Sequence, residues 1–129
     1  MQVTLLKSKL HRATVTDADL SYEGSITIDA NLCETAHLLN FEKVDVYNCN
    51  NGARFSTYVI PGNNGEICVN GAAARLAHKG DQVIIASYGH YEEHEAKGHQ
   101  PVILLLDANN QIKARPGHCG LKSLAGSGK

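Results

Sequence analysis

Turn-forming clusters cut this chain into short pieces. Asn50-Asn51-Gly52, Pro61-Gly62-Asn63-Asn64-Gly65 and Gly80-Asp81 separate runs rich in Val, Ile and Thr. Gly and Asn tolerate the left-handed backbone that tight turns need, so each cluster reads as a chain reversal. The longest apolar run, Val102 to Leu106, is far too short to span a membrane. A chain punctuated this often favours many short strands with a few short helices. At 129 residues, 43% of them apolar, it has material for one core and not two.

Charge and aromatic content exclude several functions. Lys plus Arg is 12 and Asp plus Glu is 13, a formal net charge of -1. That balance does not suit a nucleic-acid backbone or an anionic membrane. Aromatics are 5% and Trp is absent, too little for a base-stacking platform. Lys7, Lys9 and Arg12 interrupt the N-terminal segment, so no secretory leader is expected and a cytoplasmic location is. Cys33, Cys49, Cys68 and Cys119 fall in no paired pattern. Free thiols are expected, with disulfides as the alternative.

The elements read as follows. Residues 3–16 form a long strand in which Lys9 and His11 share a face, because alternate residues point the same way. Asp17-Ala18-Asp19 is a polar break. A second extended stretch covers 20–29, with Gly24 inside it. Asn31 caps a helix running to Leu39, with Glu34 at the capping-box spacing. Strands 43–49 and 53–60 form a hairpin across Asn50-Asn51-Gly52, and 66–69 is a short strand. Asn70 starts a helix that Gly80 stops. Residues 82–88 are a buried strand, 91–97 one or two helical turns, and 101–106 an apolar strand. After Asp107 the pattern weakens, and Gly126-Ser127-Gly128-Lys129 resembles a linker. There are no internal repeats. The fold class expected is mainly β with short helices, a small mixed barrel.

Several local motifs have plain readings. His90-Tyr91-Glu92-Glu93-His94 has the H-x-x-E-H spacing of one class of zinc peptidases. Gly89 and Gly98 leave barely two helical turns there, and a third ligand would have to be Glu95 or Asp107. A solvated His/Glu-rich segment is the default, and no metal is expected. His37, His78, His99 and His118 are scattered and need only surface or structural roles. Asn70 to Ala74 could offer donors to a small anion, although an ordinary helix start is the simpler reading.

Tyr22-Glu23-Gly24-Ser25-Ile26 says more in context than alone. It follows the strand carrying Lys9 and His11 and precedes the hairpin strand carrying Arg54, Thr57 and Tyr58. An anion clamp, a hydroxyl and a phenol suit a small dicarboxylate. One flat strand sends Arg54 and Tyr58 to one face and Thr57 to the other. A bulge, or a site shared between subunits, would be needed to gather all three.

These segments, in order, resemble a known family. Lys7-Ser8-Lys9-Leu10-His11-Arg12, Tyr22 through Asp29, Asn51-Gly52-Ala53-Arg54-Phe55-Ser56-Thr57-Tyr58, Val69-Asn70-Gly71-Ala72-Ala73-Ala74-Arg75 and Gly80-Asp81 with Val83 to Tyr88 are similar to the pyruvoyl-dependent L-aspartate 1-decarboxylases of pantothenate biosynthesis. The resemblance covers about residues 1–106. The turn between Ile60 and Ile67 is short for the family, and the tail from Asp107 matches no pattern.

The resemblance implies a six-stranded double-psi β-barrel catalytic domain over 1–106, with 107–129 as a divergent tail. It implies self-cleavage between Gly24 and Ser25 into 1–24 and 25–129. Ser25 then becomes a covalent pyruvoyl group, and neither metal nor pyridoxal phosphate is expected. The activity implied is decarboxylation of L-aspartate to β-alanine and CO2. Ser25 and Tyr58 take catalytic roles, with Tyr58 as proton donor. Gly24, Ser25 and Thr57 serve cleavage. Lys9, His11, Arg54, Thr57, Asn70, Gly71, Ala72 and Ala73 bind substrate. A homotetramer with sites at subunit boundaries is implied, with room for a maturation helper protein. The rival readings are a non-catalytic barrel binding an anionic metabolite, a zinc hydrolase, and a pyruvoyl decarboxylase of another amino acid.

Overall fold

The computed structural model describes residues 1–21 and 24–116. The chain runs β1 (Gln2–Thr14), β2 (Asp17–Asp19), β3 (Ser25–Asp29), α1 (Ala30–Ala36), β4 (Lys43–Asn48) and β5 (Arg54–Gly62). It continues through β6 (Ile67–Asn70), a 3-10 segment at Gly71–Arg75, β7 (Gln82–Glu92), α2 (Glu93–Ala96), β8 (Val102–Leu106) and β9 (Ile112–Ala114). The fold is mainly β with few short helices, as the turn pattern predicts. No helix among the described residues is long and apolar enough to cross a membrane.

The ladders join nine strands in the order β2-β6-β3-β5-β4-β7-β1-β8-β9, where the family resemblance implies six. Among the described residues no ladder pairs the two ends of this sheet, yet it curls strongly. β1 ends at Thr14 and β2 begins at Asp17. Three chain steps span at most about 11 Å, whereas a flat sheet would hold strands six places apart at about 29 Å. The linking residues bridge the gap. Thr16 N–H donates to Ile67 O at 2.8 Å, next to β6, and Val15 N–H donates to Asp81 O at 2.8 Å, next to β7. Leu10, Ile26, Ile28, Val44, Val46, Val59, Ile67, Val69, Val83, Ile85 and Leu104 fill the interior so formed. Their alternation along each strand sends the intervening side chains to the outer face.

Four local expectations change. Asp29 caps α1 in place of Asn31: its Oδ1 accepts from Asn31 N–H at 2.7 Å, and its Oδ2 accepts from Gly65 N–H at 2.7 Å. The helix ends at Ala36, where His37 turns left-handed (φ 59), short of Leu39. The helix expected from Asn70 is only a 3-10 segment, because Gly71 sits at φ 68 and Asn70 spends its side chain across the sheet instead of capping. Asp17-Ala18-Asp19 is not a break but a strand paired in parallel with β6.

The described part of the tail beyond Asp107, residues 108–116, also joins the fold. β9 pairs with β8. Asn110, 1% exposed, accepts from Thr14 N–H and donates to Thr14 O and Gly65 O. Cys33, Cys49 and Cys68 are free thiols, while Cys119, His118 and the Gly-Ser ending lie outside the described residues.

Candidate functional site

β3 turns Ile26 and Ile28 into the core, which sends Ser25 and Thr27 to its other face. On β5, Val59 is fully buried and Phe55 packs against the core, so Tyr58 and Ile60 face the same way as Ser25. β6 contributes Cys68 and Asn70 beside them, since Ser25 pairs with Asn70 and Thr27 with Cys68. Together with Glu66 these residues line a pocket of about 490 Å³.

Asn70 organises that pocket. It is buried, and its Nδ2 donates to Ser25 Oγ at 2.9 Å and to Thr27 Oγ1 at 3.0 Å. Its Oδ1 lies 3.2 Å from Cys68 Sγ. Burial, with the carboxylates of Asp17, Glu66 and Asp19, pushes the Cys68 thiol above its ordinary value. Ser25 itself is 2% exposed. The Tyr58 ring stands 6.1 Å from the Phe41 ring, and Phe41 is largely exposed.

The β3–β5 ladder is parallel and pairs Ile26 with Val59. Continued one residue backwards, that register sets Ser25, the first residue of β3, beside Tyr58. Thr57 pairs with buried Val44, so it faces away from Tyr58, as strand alternation predicts. Among the described residues, nothing beyond Gly24's chain neighbours lies within 4 Å of where its Cβ would stand.

The remaining expected residues stand elsewhere in the single chain. Lys9, His11 and Arg54 do not line the Ser25 pocket. Arg54 is exposed and lies over the Tyr47 ring at 4.3 Å, in a second hollow with Asp45 and Ser56. Lys9 and His11 alternate with buried Ser8 and Leu10 on β1, so they share the outer face. Burial lowers the His11 pKa, helped by the positive charges of Lys9 and Arg12. Its Nδ1 is buried without a hydrogen-bond partner among the described residues. Gly71 is buried and Ala72 exposed where the chain leaves the pocket after Asn70.

Sequence reasoning missed Thr27, Cys68 and Glu66. The alternation from Ser25 would have found Thr27, but Cys68 and Glu66 depend on the β3–β6 register. The zinc spacing dissolves. His90 sits in β7 with its Nδ1 3.1 Å from Thr4 Oγ1, while His94 lies in α2, so the two imidazoles share no helix. Among the described residues no three His, Cys, Asp or Glu side chains gather as a metal site.

Comparison with known proteins shows the family. The model of the family described as aspartate decarboxylase matches residues 1–113. A protein of Syntrophus aciditrophicus named aspartate 1-decarboxylase is 61% identical over 115 residues, covering 88% of this chain and 99% of that protein. One of Bdellovibrio bacteriovorus with the same name is 57% identical over 112 residues, covering 87% and 90%.

Proposed function

Because the chain belongs to the aspartate decarboxylase family, we propose that it removes the α-carboxylate of L-aspartate to give β-alanine and CO2, with Ser25 as the source of a pyruvoyl group. The observation that carries this is the buried Ser25 hydroxyl, held by Asn70 at 2.9 Å in a pocket it shares with Tyr58. In the family's setting this is a cytoplasmic step supplying pantothenate synthesis.

The residues present fit the group. Ser25 Oγ attacks the Gly24 carbonyl carbon, the Gly24–Ser25 C–N bond breaks, and the hydroxyl proton passes to the freed nitrogen. The resulting ester loses its Cα proton and breaks at Oγ–Cβ, leaving a carboxylate on Gly24 and a dehydroalanine at 25. One water then replaces the nitrogen, which departs as ammonia. The Thr57 hydroxyl, next along β5 from Tyr58, would donate to the oxyanion, a contact worth about 3 kcal/mol in comparable sites. Asn70 Nδ2 holds the attacking oxygen.

The pyruvoyl ketone supplies the electron sink that no natural side chain offers. Tyr58 delivers a proton from Oη to the carbon that loses CO2. Arg54 grips a substrate carboxylate by a planar two-point contact, and Lys9 adds positive charge. His11 orients the substrate or carries a proton. Asn70 lines the pocket, and the backbone of Gly71, Ala72 and Ala73, where the chain leaves it, would meet the substrate at its edge.

Arg54, Lys9 and His11 lie outside the Ser25 pocket of their own chain, so we assign them to the site of a neighbouring copy in a homotetramer. The six adjacent strands β6-β3-β5-β4-β7-β1 would form the double-psi barrel, a reading supported by the Thr16–Ile67 hydrogen bonds between the end of β1 and β6, with β2, β8 and β9 additional to it. The catalytic domain is then 1–106, onto which β9 and Asn110 of the divergent tail pack.

Denaturing mass spectrometry tests the reading, paired with assay of CO2 release from L-aspartate. Two chains, 1–24 and 25–129, are expected in active protein. A single intact chain that still decarboxylates aspartate would refute it.

A further inference from the structure

The Asn70 carboxamide has two ends of nearly equal shape and opposite function. The Ser25 and Thr27 hydroxyls do not choose between them, because a hydroxyl can donate or accept. The third neighbour does choose. Cys68 Sγ lies 3.2 Å from Asn70 Oδ1, and both residues are buried. A thiol is a weak donor and a weak acceptor, so its protonation decides what it offers. With its pKa raised, Cys68 keeps its proton at neutral pH and donates to Oδ1.

We propose that Cys68 is a positioning residue for chain cleavage, fixing the Asn70 amide with its NH2 end toward Ser25 Oγ. The inference rests on the Ser25 cleavage set out above. In this orientation both amide hydrogens are used, one on Ser25 and one on Thr27. Ser25 Oγ accepts, so its own proton is free to leave, and charge developing on the oxygen meets a donor. In the reversed orientation Ser25 would give its proton to Oδ1 and would have to break that bond before attacking. The NH2 would then face sulfur, which accepts weakly.

The test follows the fraction of intact chain with time by denaturing mass spectrometry, in freshly purified full-length protein. Cys68→Ala removes the donor, and cleavage is expected to slow by about fivefold to tenfold, the scale of one hydrogen bond. Cys68→Ser keeps an O–H donor and rescues the rate. Cys68→Val, with no donor and a fuller side chain, slows cleavage as alanine does and covers a fold weakened by the smaller residue. Wild-type cleavage rates in Cys68→Ala and Cys68→Val overturn the proposal. So does a Cys68→Ser rate as slow as alanine's, since the sulfur would then act by packing. An intact wild-type chain that still decarboxylates L-aspartate refutes the cleavage reading itself and takes this inference with it. A cleaved wild type with unaffected variants refutes this inference alone.

Discussion

Asn110→Ala should weaken the whole barrel although it lies far from the reacting atoms in sequence. Asn110 is 1% exposed and makes three hydrogen bonds, from Thr14 N–H and to Thr14 O and Gly65 O. It thereby ties the end of β1 to the turn before β6, the turn whose Gly65 N–H also reaches Asp29 at the end of β3. Each bond is worth about 1 kcal/mol net, and part-buried partners left without one add to the loss, so about 3 kcal/mol goes with the side chain. Asn110 also sits at φ 60, where alanine costs about 1 kcal/mol more. A total near 4 kcal/mol lowers Tm by roughly 10–15 °C for a domain of this size. Calorimetry at fixed protein concentration measures it, because assembly makes Tm depend on concentration. Asn110→Gly should recover about 1 kcal/mol by relieving the backbone. A Tm for Asn110→Ala within about 2 °C of wild type would refute the reasoning.

Three further outcomes are expected. Tyr58→Phe should still cleave but lose about 10²–10⁴-fold in kcat, the range for a positioned proton donor; stopped CO2 assays beside a mass spectrum separate the two effects. Arg54→Ala should cleave normally and raise KM for L-aspartate by about tenfold or more, a lost charge-assisted contact; unchanged kinetics would remove Arg54 from the site. Glu42→Gln should show a pH signature. Burial works to raise the Glu42 pKa, but Leu39 N–H, Lys7 and Ser87 hold it below its ordinary 4.5. A lowered folded pKa stabilises above the unfolded value, and the gain fades as pH falls through the folded one. The stability gap between wild type and Glu42→Gln, read from urea midpoints, should therefore be full at pH 7 and shrink below about pH 4.

The homotetramer proposed above would account for the division of the candidate residues. Ser25, Tyr58 and Asn70 converge because β3, β5 and β6 are neighbours and their outward positions align. Arg54 shares the Tyr58 face but stands four residues away along β5, over Tyr47. Strand alternation alone foretold the tension between Thr57 and Tyr58. The fold bears that tension out, since Thr57 pairs with buried Val44 while Tyr58 lines the Ser25 pocket.

Local chemistry in the sequence determined much of this protein. Turn clusters set where strands end, as at Asn51-Gly52 and Gly80, and alternating apolar residues set which faces are buried. The segments around Ser25, Arg54-Phe55-Ser56-Thr57-Tyr58 and Asn70 carried the family and the reaction. What the tertiary structure alone decided are the non-local choices. Asp29 displaced Asn31 as the cap because its second oxygen also meets Gly65, a partner remote in sequence. Asp17-Ala18-Asp19 became a strand because β6 offered it a free edge. Cys68 came to face Asn70 Oδ1 through the strand pairing that also seats Asn70 on Ser25. Hydrogen bonds between distant segments form only where the folded chain brings them together, and nothing in their local sequence announces the partner.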